Sequence, residues 1–326
     1  MTASLKSNPN PPSPVMCVSH VTDVDGCACA SLIKLATQAR FLLTDYGRIN
    51  ECLRAIGDQY ACVYLCDLGL KESNLAELER IRGFAELTYI DHHPIVDGLV
   101  EQLQGMGVEV VHDVQDCASV LAFNFFHAVL PRDAGLLAAY AAVSDRLEAG
   151  PLAHALMQRY DRDFVYFEAL LLSHALDRAD GRQKRRIVTQ LSRLAYPHQI
   201  ADVPQLALEQ AERIAVLRTE LPARASTYGR IAYVEARGDA LGAIANLLRD
   251  VCEAAVGIGY NPDATRRNVD LSIRGGDRVD VDLGAVTAQI AQSVGGFGGG
   301  HPKASGARIP AVRLTDFIQA LAQHVQ

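Results

Sequence analysis

The sequence lacks the features of membrane proteins and of disulfide-rich secreted proteins. It contains no run of about 18 apolar residues, so no membrane-spanning helix is predicted. Residues 1–14 are rich in Ser, Asn and Pro and have no apolar core, which predicts a disordered tail rather than a signal peptide. Paired Cys-x-x-Cys motifs are missing among the 8 cysteines, which argues against a disulfide framework and a structural zinc site. We therefore expect a cytoplasmic protein.

The sequence also has fewer basic than acidic residues, 31 against 38. The 326 residues carry a formal net charge of −7, which argues against a protein that coats long nucleic acid but leaves a local basic groove open. With 49% hydrophobic and 21% charged residues, the chain has the composition of a globular protein of one large or two ordinary domains.

The first third of the chain alternates between strand and helix patterns. Strands are predicted at Val15–Ser19, Arg40–Thr44, Ala61–Cys66, Glu86–Ile90 and Val108–Val111, and helices at Ala28–Gln38, Asn50–Ile56 and Glu72–Arg82. Such alternation predicts an α/β domain with a mainly parallel sheet flanked by helices.

A mostly helical stretch follows, and alternation then resumes. The helix Ala134–Val143 ends just before Asp145. The later strands are predicted at Arg230–Glu235, Ala254–Tyr260, Asn268–Arg274 and Ala304–Ile309, and the later helices at Ala240–Val251, Leu283–Ser293 and Leu314–His324. These patterns predict a tail over 1–14, a first α/β domain over 15–180, a helical connector over 181–217 and a smaller α/β domain over 218–326.

Three of the predicted strands lead into acidic residues and histidines. They are followed by the segment from His20 through Asp23 and Asp25 to Gly26, by Asp67, and by Asp91-His92-His93. A parallel sheet would bring these groups to one edge, where their negative charges would repel unless a metal neutralised them. Taken singly, the Asp and Gly residues also suit ordinary turns and helix caps, whereas adjacent histidines after a buried strand indicate a metal site.

The glycine-rich segment 295–301 allows two interpretations. It could be a flexible linker, or a tight loop whose backbone amides meet an anion. A Walker loop is excluded because no Gly-Lys-Ser/Thr occurs, and a dinucleotide fingerprint is excluded because the segment follows a predicted helix.

Together these motifs resemble the DHH phosphoesterases that carry a C-terminal DHHA1 domain, in particular the branch of nanoRNases, oligoribonucleases and 3′-phosphoadenosine 5′-phosphate phosphatases. The DHH triplet stands at Asp91-His92-His93, and the DHHA1 glycine signature stands at Gly298-Gly299-Gly300-His301. The first and second acidic motifs match the segment 20–26 and Asp67, and the fourth matches Asp145.

The resemblance implies a site with two divalent ions, usually manganese. His20 and Asp23 would hold the first ion, Asp67 would bridge both, and Asp25, His92 and Asp145 would complete the second. Asp91 would orient a histidine, as metal-bound imidazoles require, and His93 would face the phosphate. Mixed carboxylate and imidazole ligands suit manganese but leave magnesium, cobalt and zinc open.

The same resemblance assigns the distal end of the substrate to the second domain. Gly298, Gly299, Gly300, His301 and Arg274 would grip it, with Lys303 and Arg278 as helpers. The active site would then lie in the cleft between the two domains, and a homodimer stays open.

The sequence therefore predicts a metal-dependent phosphoesterase. Its expected substrates are short oligonucleotides, linear or cyclic dinucleotides, or 3′-phosphoadenosine 5′-phosphate. Three alternatives stay open: a polyphosphate or pyrophosphate hydrolase, a single-strand exonuclease, and a module that binds nucleotide without turnover.

Overall fold

The structure is a computed structural model that describes residues 14–276 and 279–325. These residues form two compact units, which divide between Glu209 and Gln210. The predicted tail, apart from Pro14, and the predicted helper Arg278 lie outside the described residues.

The first unit is built on a parallel sheet. Its strands are β1 (Val15–His20), β2 (Arg40–Thr44), β3 (Cys62–Cys66), β4 (Glu86–Asp91) and β5 (Glu109–His112). They lie in the order β2-β1-β3-β4-β5, and every neighbouring pair is parallel. The chain reverses its direction of winding at β1, so the crevice for a ligand is expected at the carboxyl ends of β1 and β3.

Helices cover both faces of this sheet. They are α1 (Val24–Thr37), α2 (Ile49–Arg54), α3 (Leu75–Arg82), α4 (Leu99–Gly105), α5 (Ala118–Phe125), α6 (Gly135–Asp145), α7 (Pro151–Met157), α8 (Arg162–Arg178) and α9 (Gly181–Leu191). α1, α5, α6, α8 and α9 share one apolar core, and α2, α3 and α4 share the other. Side chains alternate between the two cores along a strand, as Tyr89 and Ile90 do in β4. α10 (Val203–Arg224) follows these elements.

The second unit contains a mixed sheet. Its elements are β6 (Ser226–Tyr228), β7 (Ile231–Glu235), α11 (Leu241–Val251), β8 (Val256–Pro262), β9 (Asn268–Gly275), α12 (Leu283–Ser293), β10 (Phe297–His301), β11 (Ala304–Pro310) and α13 (Leu314–His324). The strand order is β10-β11-β9-β8-β7-β6, in which β7 and β8 are parallel and the other neighbours are antiparallel.

The predicted α/β fold class is confirmed: a parallel sheet flanked by helices precedes a smaller α/β unit. Two predictions of local structure were wrong. α1 begins at Val24, four residues before the predicted start, because Asp23 caps it. The segment Phe297–His301 is a strand and not a loop, and its backbone pairs with β11. Within the described residues, no helix is long and apolar enough to cross a membrane.

Candidate metal centre

Three neighbouring strands of the parallel sheet deliver the predicted motifs to one edge. His20 is the last residue of β1, Asp67 directly follows β3, and Asp91 is the last residue of β4. Asp23 and Asp25 belong to the start of α1, where Asp23 accepts a hydrogen bond of 3.0 Å from the Gly26 amide. A glycine is required at this point because a Cβ on Gly26 would lie 2.3 Å from the carbonyl oxygen of His20.

His20, Asp23 and Asp67 form a first group of metal-ligand type. Their donor atoms lie within 4.8 Å of one another. His20 Nδ1 is 2.7 Å from Asp23 Oδ2 and 3.5 Å from Asp67 Oδ2. The other ring nitrogen, Nε2, is 3.0 Å from the hydroxyl of Thr22. If Nε2–H donates to that hydroxyl, Nδ1 is the nitrogen available to a metal ion.

Asp25, His92 and Asp145 form a second group, whose donor atoms also lie within 4.8 Å of one another. His92 Nε2 is 3.6 Å from Asp25 Oδ2 and 3.6 Å from Asp145 Oδ2. The start of α5 holds Asp25 in place, since the amides of Ala118 and Ser119 donate to its two oxygens at 2.9 and 2.7 Å. Asp145 is the last residue of α6, which packs against α1.

Asp67 lies between the two groups. Its Oδ2 faces His20 at 3.5 Å, and its Oδ1 lies 3.5 Å from His92 Nε2. The residue has a φ of 55°, in the left-handed region that few non-glycine residues adopt, and its amide donates to Ile90 O at 3.0 Å. Oδ2 is buried, and no hydrogen bond reaches it from the described part of the chain. A cation between His20 and Asp67 would satisfy this oxygen.

Negative charge dominates the centre. Every ion pair shown for its carboxylates, within residues 14–276 and 279–325, is with a histidine. Burial and the charge of Asp67 raise the pKa of Asp25 to about 6. Burial, followed by Asp25 and Asp23, raises the pKa of Asp145 well above its usual range. A bound cation would offset the repulsion between these carboxylates.

The pKa values of the histidines are also raised, but here burial opposes the shift. Burial lowers the pKa of His20, but Asp23 and Asp67 outweigh it and raise the pKa well above its ordinary value. Burial also opposes the shift at His92, yet hydrogen bonding to Asp67 and the charge of Asp25 raise its pKa to about 9. Imidazole binds a metal ion in its neutral form, and a carboxyl group binds it in its deprotonated form. These side chains therefore become metal ligands only when they lose their protons.

The end of β4 carries a separate chain of contacts. His93 Nδ1 is 2.8 Å from Asp91 Oδ1. Asp91 therefore contacts His93, the histidine that is expected to face the phosphate. The hydroxyl of Tyr89 donates to Asp91 Oδ2, and His112 Nε2 is 2.7 Å from the carbonyl oxygen of His93. Burial opposes the shift, but His93 holds the pKa of Asp91 well below its usual range.

Sequence reasoning missed the residues that support the motifs. Thr22 fixes the ring of His20, Tyr89 fixes Asp91, and Tyr46 and His112 contact His93. Tyr89 stands in an apolar run and resembles an ordinary core residue. The only available signal was its position two residues before Asp91, which places both side chains on one face of β4.

The predicted substrate-binding residues of the second unit lie on adjacent strands. His301 on β10 is opposite Ala304 on β11, which is opposite Arg274 on β9. Gly298, Gly299 and Gly300 precede His301 on the same strand. Arg274 Nη1 donates to the carbonyl oxygens of Ile273 and Ser305 at 3.1 and 3.4 Å, and the Lys303 ammonium contacts Val279 O. Their assignment to substrate stays a prediction.

Residues 228–326 match the model of the DHHA1 domain family, and this match lies within the second unit. This bears out the family-level resemblance, whereas the finer branch stays a prediction. No curated protein sequence matches the chain.

Solved structures share the fold across nearly the whole chain. One is described as the DHH domain of a member of the s1p family of ribosomal proteins; the TM-score is 0.72 with 16% identity, over 96% of this chain and 86% of that one. A second is PggH from Vibrio cholerae, a pGpG-specific phosphodiesterase, with a TM-score of 0.55 and 12% identity over 95% and 98% of the two chains. A third is the exonuclease RecJ bound to manganese, with a TM-score of 0.59 and 14% identity over 95% and 89%.

Proposed function

We propose that this chain, which combines the fold of the DHH structures with a DHHA1 domain, is a metal-dependent phosphoesterase acting on short nucleotides. The observation that carries the proposal is the position of Asp67. Its two carboxylate oxygens each face one of two histidine and aspartate groups, which is the arrangement expected of a ligand shared by two divalent ions.

Each group of side chains receives a defined role in this proposal. His20 and Asp23 hold the first ion, Asp25, His92 and Asp145 hold the second, and Asp67 contacts both. Divalent ions in such a site activate water and neutralise the charge of the phosphate and of its leaving oxygen. Manganese suits these oxygen and nitrogen donors, and magnesium, cobalt and zinc stay open.

The residues of the DHH loop bind and orient the substrate. His93 faces the phosphate in this proposal, and Asp91 supports this role because its carboxylate, 2.8 Å away, fixes the orientation of the imidazole. Asp25 is held in place by the backbone amides of Ala118 and Ser119, which donate hydrogen bonds to its two oxygens. These bonds keep the carboxylate directed at His92. Arg274, Gly298, Gly299, Gly300 and His301 are proposed to contact the end of the substrate beyond the scissile phosphate.

Two observations favour short nucleotides over long strands as the substrates. The fold is shared with a phosphodiesterase described as specific for pGpG, which favours dinucleotides. A net charge of −7 provides little attraction for the many phosphates of a long strand. We expect kcat/KM to be highest for roughly two to five nucleotides and to fall with length, because added phosphates gain no further cationic contacts.

Exonuclease action on longer single strands is a second candidate. It is favoured by the fold shared with RecJ. The two candidates differ in the length dependence of kcat/KM, since an exonuclease of this kind would degrade strands of tens of nucleotides as fast as short ones or faster.

The test is a hydrolysis panel with the purified full chain and manganese. It includes dinucleotides, 3′-phosphoadenosine 5′-phosphate, pyrophosphate, polyphosphate and a 5′-labelled oligonucleotide series at two salt concentrations. Asp67→Asn should abolish turnover, whereas Asp58→Asn, at an exposed aspartate, should have no effect. Turnover by Asp67→Asn at the wild-type rate, or no hydrolysis of any substrate by the wild type, would contradict the proposal.

A further inference from the structure

Tyr46 contacts two histidines of the centre, His20 and His93. It lies in the short turn after β2, where the Asp45 side chain accepts a hydrogen bond of 2.9 Å from the Gly47 amide. The Tyr46 ring packs on the ring of His20 with centroids 4.4 Å apart, and its hydroxyl oxygen lies 2.9 Å from His93 Nε2. A tyrosine that is 46% exposed thus contacts one proposed metal ligand and the histidine proposed to bind phosphate.

His93 is held from two sides. Its Nδ1 contacts Asp91 at 2.8 Å, and its Nε2 contacts the hydroxyl of Tyr46 at 2.9 Å. The hydroxyl can donate to a neutral imidazole or accept from a protonated one, so this contact does not depend on the charge of His93. Asp91 is in turn fixed by the hydroxyl of Tyr89, which also lies 3.0 Å from Leu68 O.

Packing fixes the position of the Tyr46 hydroxyl. The ring of Tyr46 lies edge-on to His93, at a centroid distance of 5.6 Å and an angle of 79°, while its tilted contact with His20 is closer. Aromatic pairs at these distances restrict one another's orientation. Tyr46 therefore contacts a residue of the first group through its ring and His93 through its hydroxyl.

We propose that Tyr46 is a positioning residue, which orients His93 through its hydroxyl and links His93 to the metal-binding face of His20 through its ring. The proposal rests on the function proposed above for His93. A group that orients an imidazole without binding substrate changes kcat more than KM, because misplacing a reacting or phosphate-binding group by a fraction of an ångström slows the reaction itself.

Two substitutions separate the hydroxyl from the ring. Tyr46→Phe removes the hydroxyl and keeps the packing on His20. We expect kcat to fall roughly 10- to 100-fold with KM changed less than about threefold. Tyr46→Leu removes both contacts, and we expect it to weaken manganese binding in addition. Tyr228→Phe is the matched control, since Tyr228 is also 46% exposed and lies on β6 of the other unit.

A spectroscopic measurement tests the contact without any turnover. Long-range proton–nitrogen NMR of the metal-free full chain reports each imidazole nitrogen, and His93→Gln assigns the His93 signals. We expect Tyr46→Phe to shift the His93 Nε2 resonance, and we expect Tyr228→Phe to leave it in place. An unshifted resonance in Tyr46→Phe would overturn the proposal.

The kinetic outcomes decide the role. A fall in kcat with a nearly constant KM supports positioning, whereas a rise in KM at constant kcat would show that the hydroxyl binds substrate and would overturn it. Unchanged kcat and KM would also overturn it. If the wild type hydrolyses no substrate, the proposed function fails, and with it the role in turnover, while the NMR comparison still decides whether Tyr46 holds His93.

Discussion

Metal binding should release protons, and the number of protons follows from the environment of the two buried histidines. In the metal-free protein, the pKa of His92 is about 9, because hydrogen bonding to Asp67 and the charge of Asp25 overcome the effect of burial. The pKa of His20 is likewise raised, by Asp23 and Asp67 against burial. The raised pKa values favour the protonated form of both imidazoles, and each must lose its proton before its nitrogen can bind a metal.

The expected magnitude is about one proton for each histidine. Two protons released on binding make the apparent affinity for the ions rise about 100-fold per pH unit, or ~2.7 kcal/mol, in the range below the raised pKa values. The sign is fixed by the direction of the shifts: raised imidazole pKa values mean that acid competes with the metal, so affinity weakens as the pH falls from 8 to 6. The raised pKa of Asp145 acts in the same direction, because acid then also competes with the metal at this carboxylate.

Calorimetry measures the release directly. Manganese is titrated into the metal-free protein in two buffers that differ in enthalpy of ionisation, and the difference in heat gives the protons released. His92→Gln should reduce the number by about one. His127→Gln, at an exposed histidine outside the centre, should leave it unchanged. Binding without proton release, or an affinity that is constant between pH 6 and 8, would refute the assignment of both histidines as ligands.

Three further substitutions test other parts of the structure. Gly26→Ala should destabilise the fold by about 1–3 kcal/mol, because its Cβ would lie 2.3 Å from His20 O. Gly181→Ala should not, because a Cβ there would meet no atom within 4 Å apart from its chain neighbours and the backbone of its own helix; urea unfolding measures both. Thr22→Val should weaken manganese binding roughly 10- to 100-fold by removing the 3.0 Å contact to His20 Nε2, and an unchanged calorimetric affinity would count against that role. Arg274→Ala should lower kcat/KM for a dinucleotide by a factor that corresponds to roughly 2–4 kcal/mol of transition-state stabilisation, and much less for a small activated phosphodiester. Equal losses on both substrates would contradict a contact between Arg274 and the distal end of the substrate.

Much of the fold and of the centre follows from local sequence patterns. Buried parallel strands are short apolar runs, and in such sheets functional groups follow the carboxyl ends of strands. His20, Asp67 and Asp91 occupy those positions, so their proximity could be predicted without knowing any contact. Asp145 at the end of α6 was identifiable by resemblance alone.

The rest depends on contacts between distant segments. The strand Phe297–His301 was predicted as a linker or a loop from its glycine composition, yet it is a strand on which α12 packs closely: a Cβ on Gly298 would lie 3.0 Å from Thr287 Cγ2 of α12. Tyr46 lies 47 residues from His93 in sequence, so no local pattern indicates their contact. Sequence patterns therefore predict ligand positions better than the residues that orient the ligands.

The central claim is that Asp67 is shared by two divalent ions, and electron paramagnetic resonance tests it most directly. Metal-free protein is loaded with one and then two equivalents of Mn²⁺, and the same is done with Asp67→Asn. Asparagine tolerates the φ of 55° at this position, so the variant should keep the fold. We predict an exchange-coupled spectrum for the wild type at two equivalents and no coupling in the variant. Uncoupled spectra from the wild type at two equivalents, or binding of a single ion, would contradict the account.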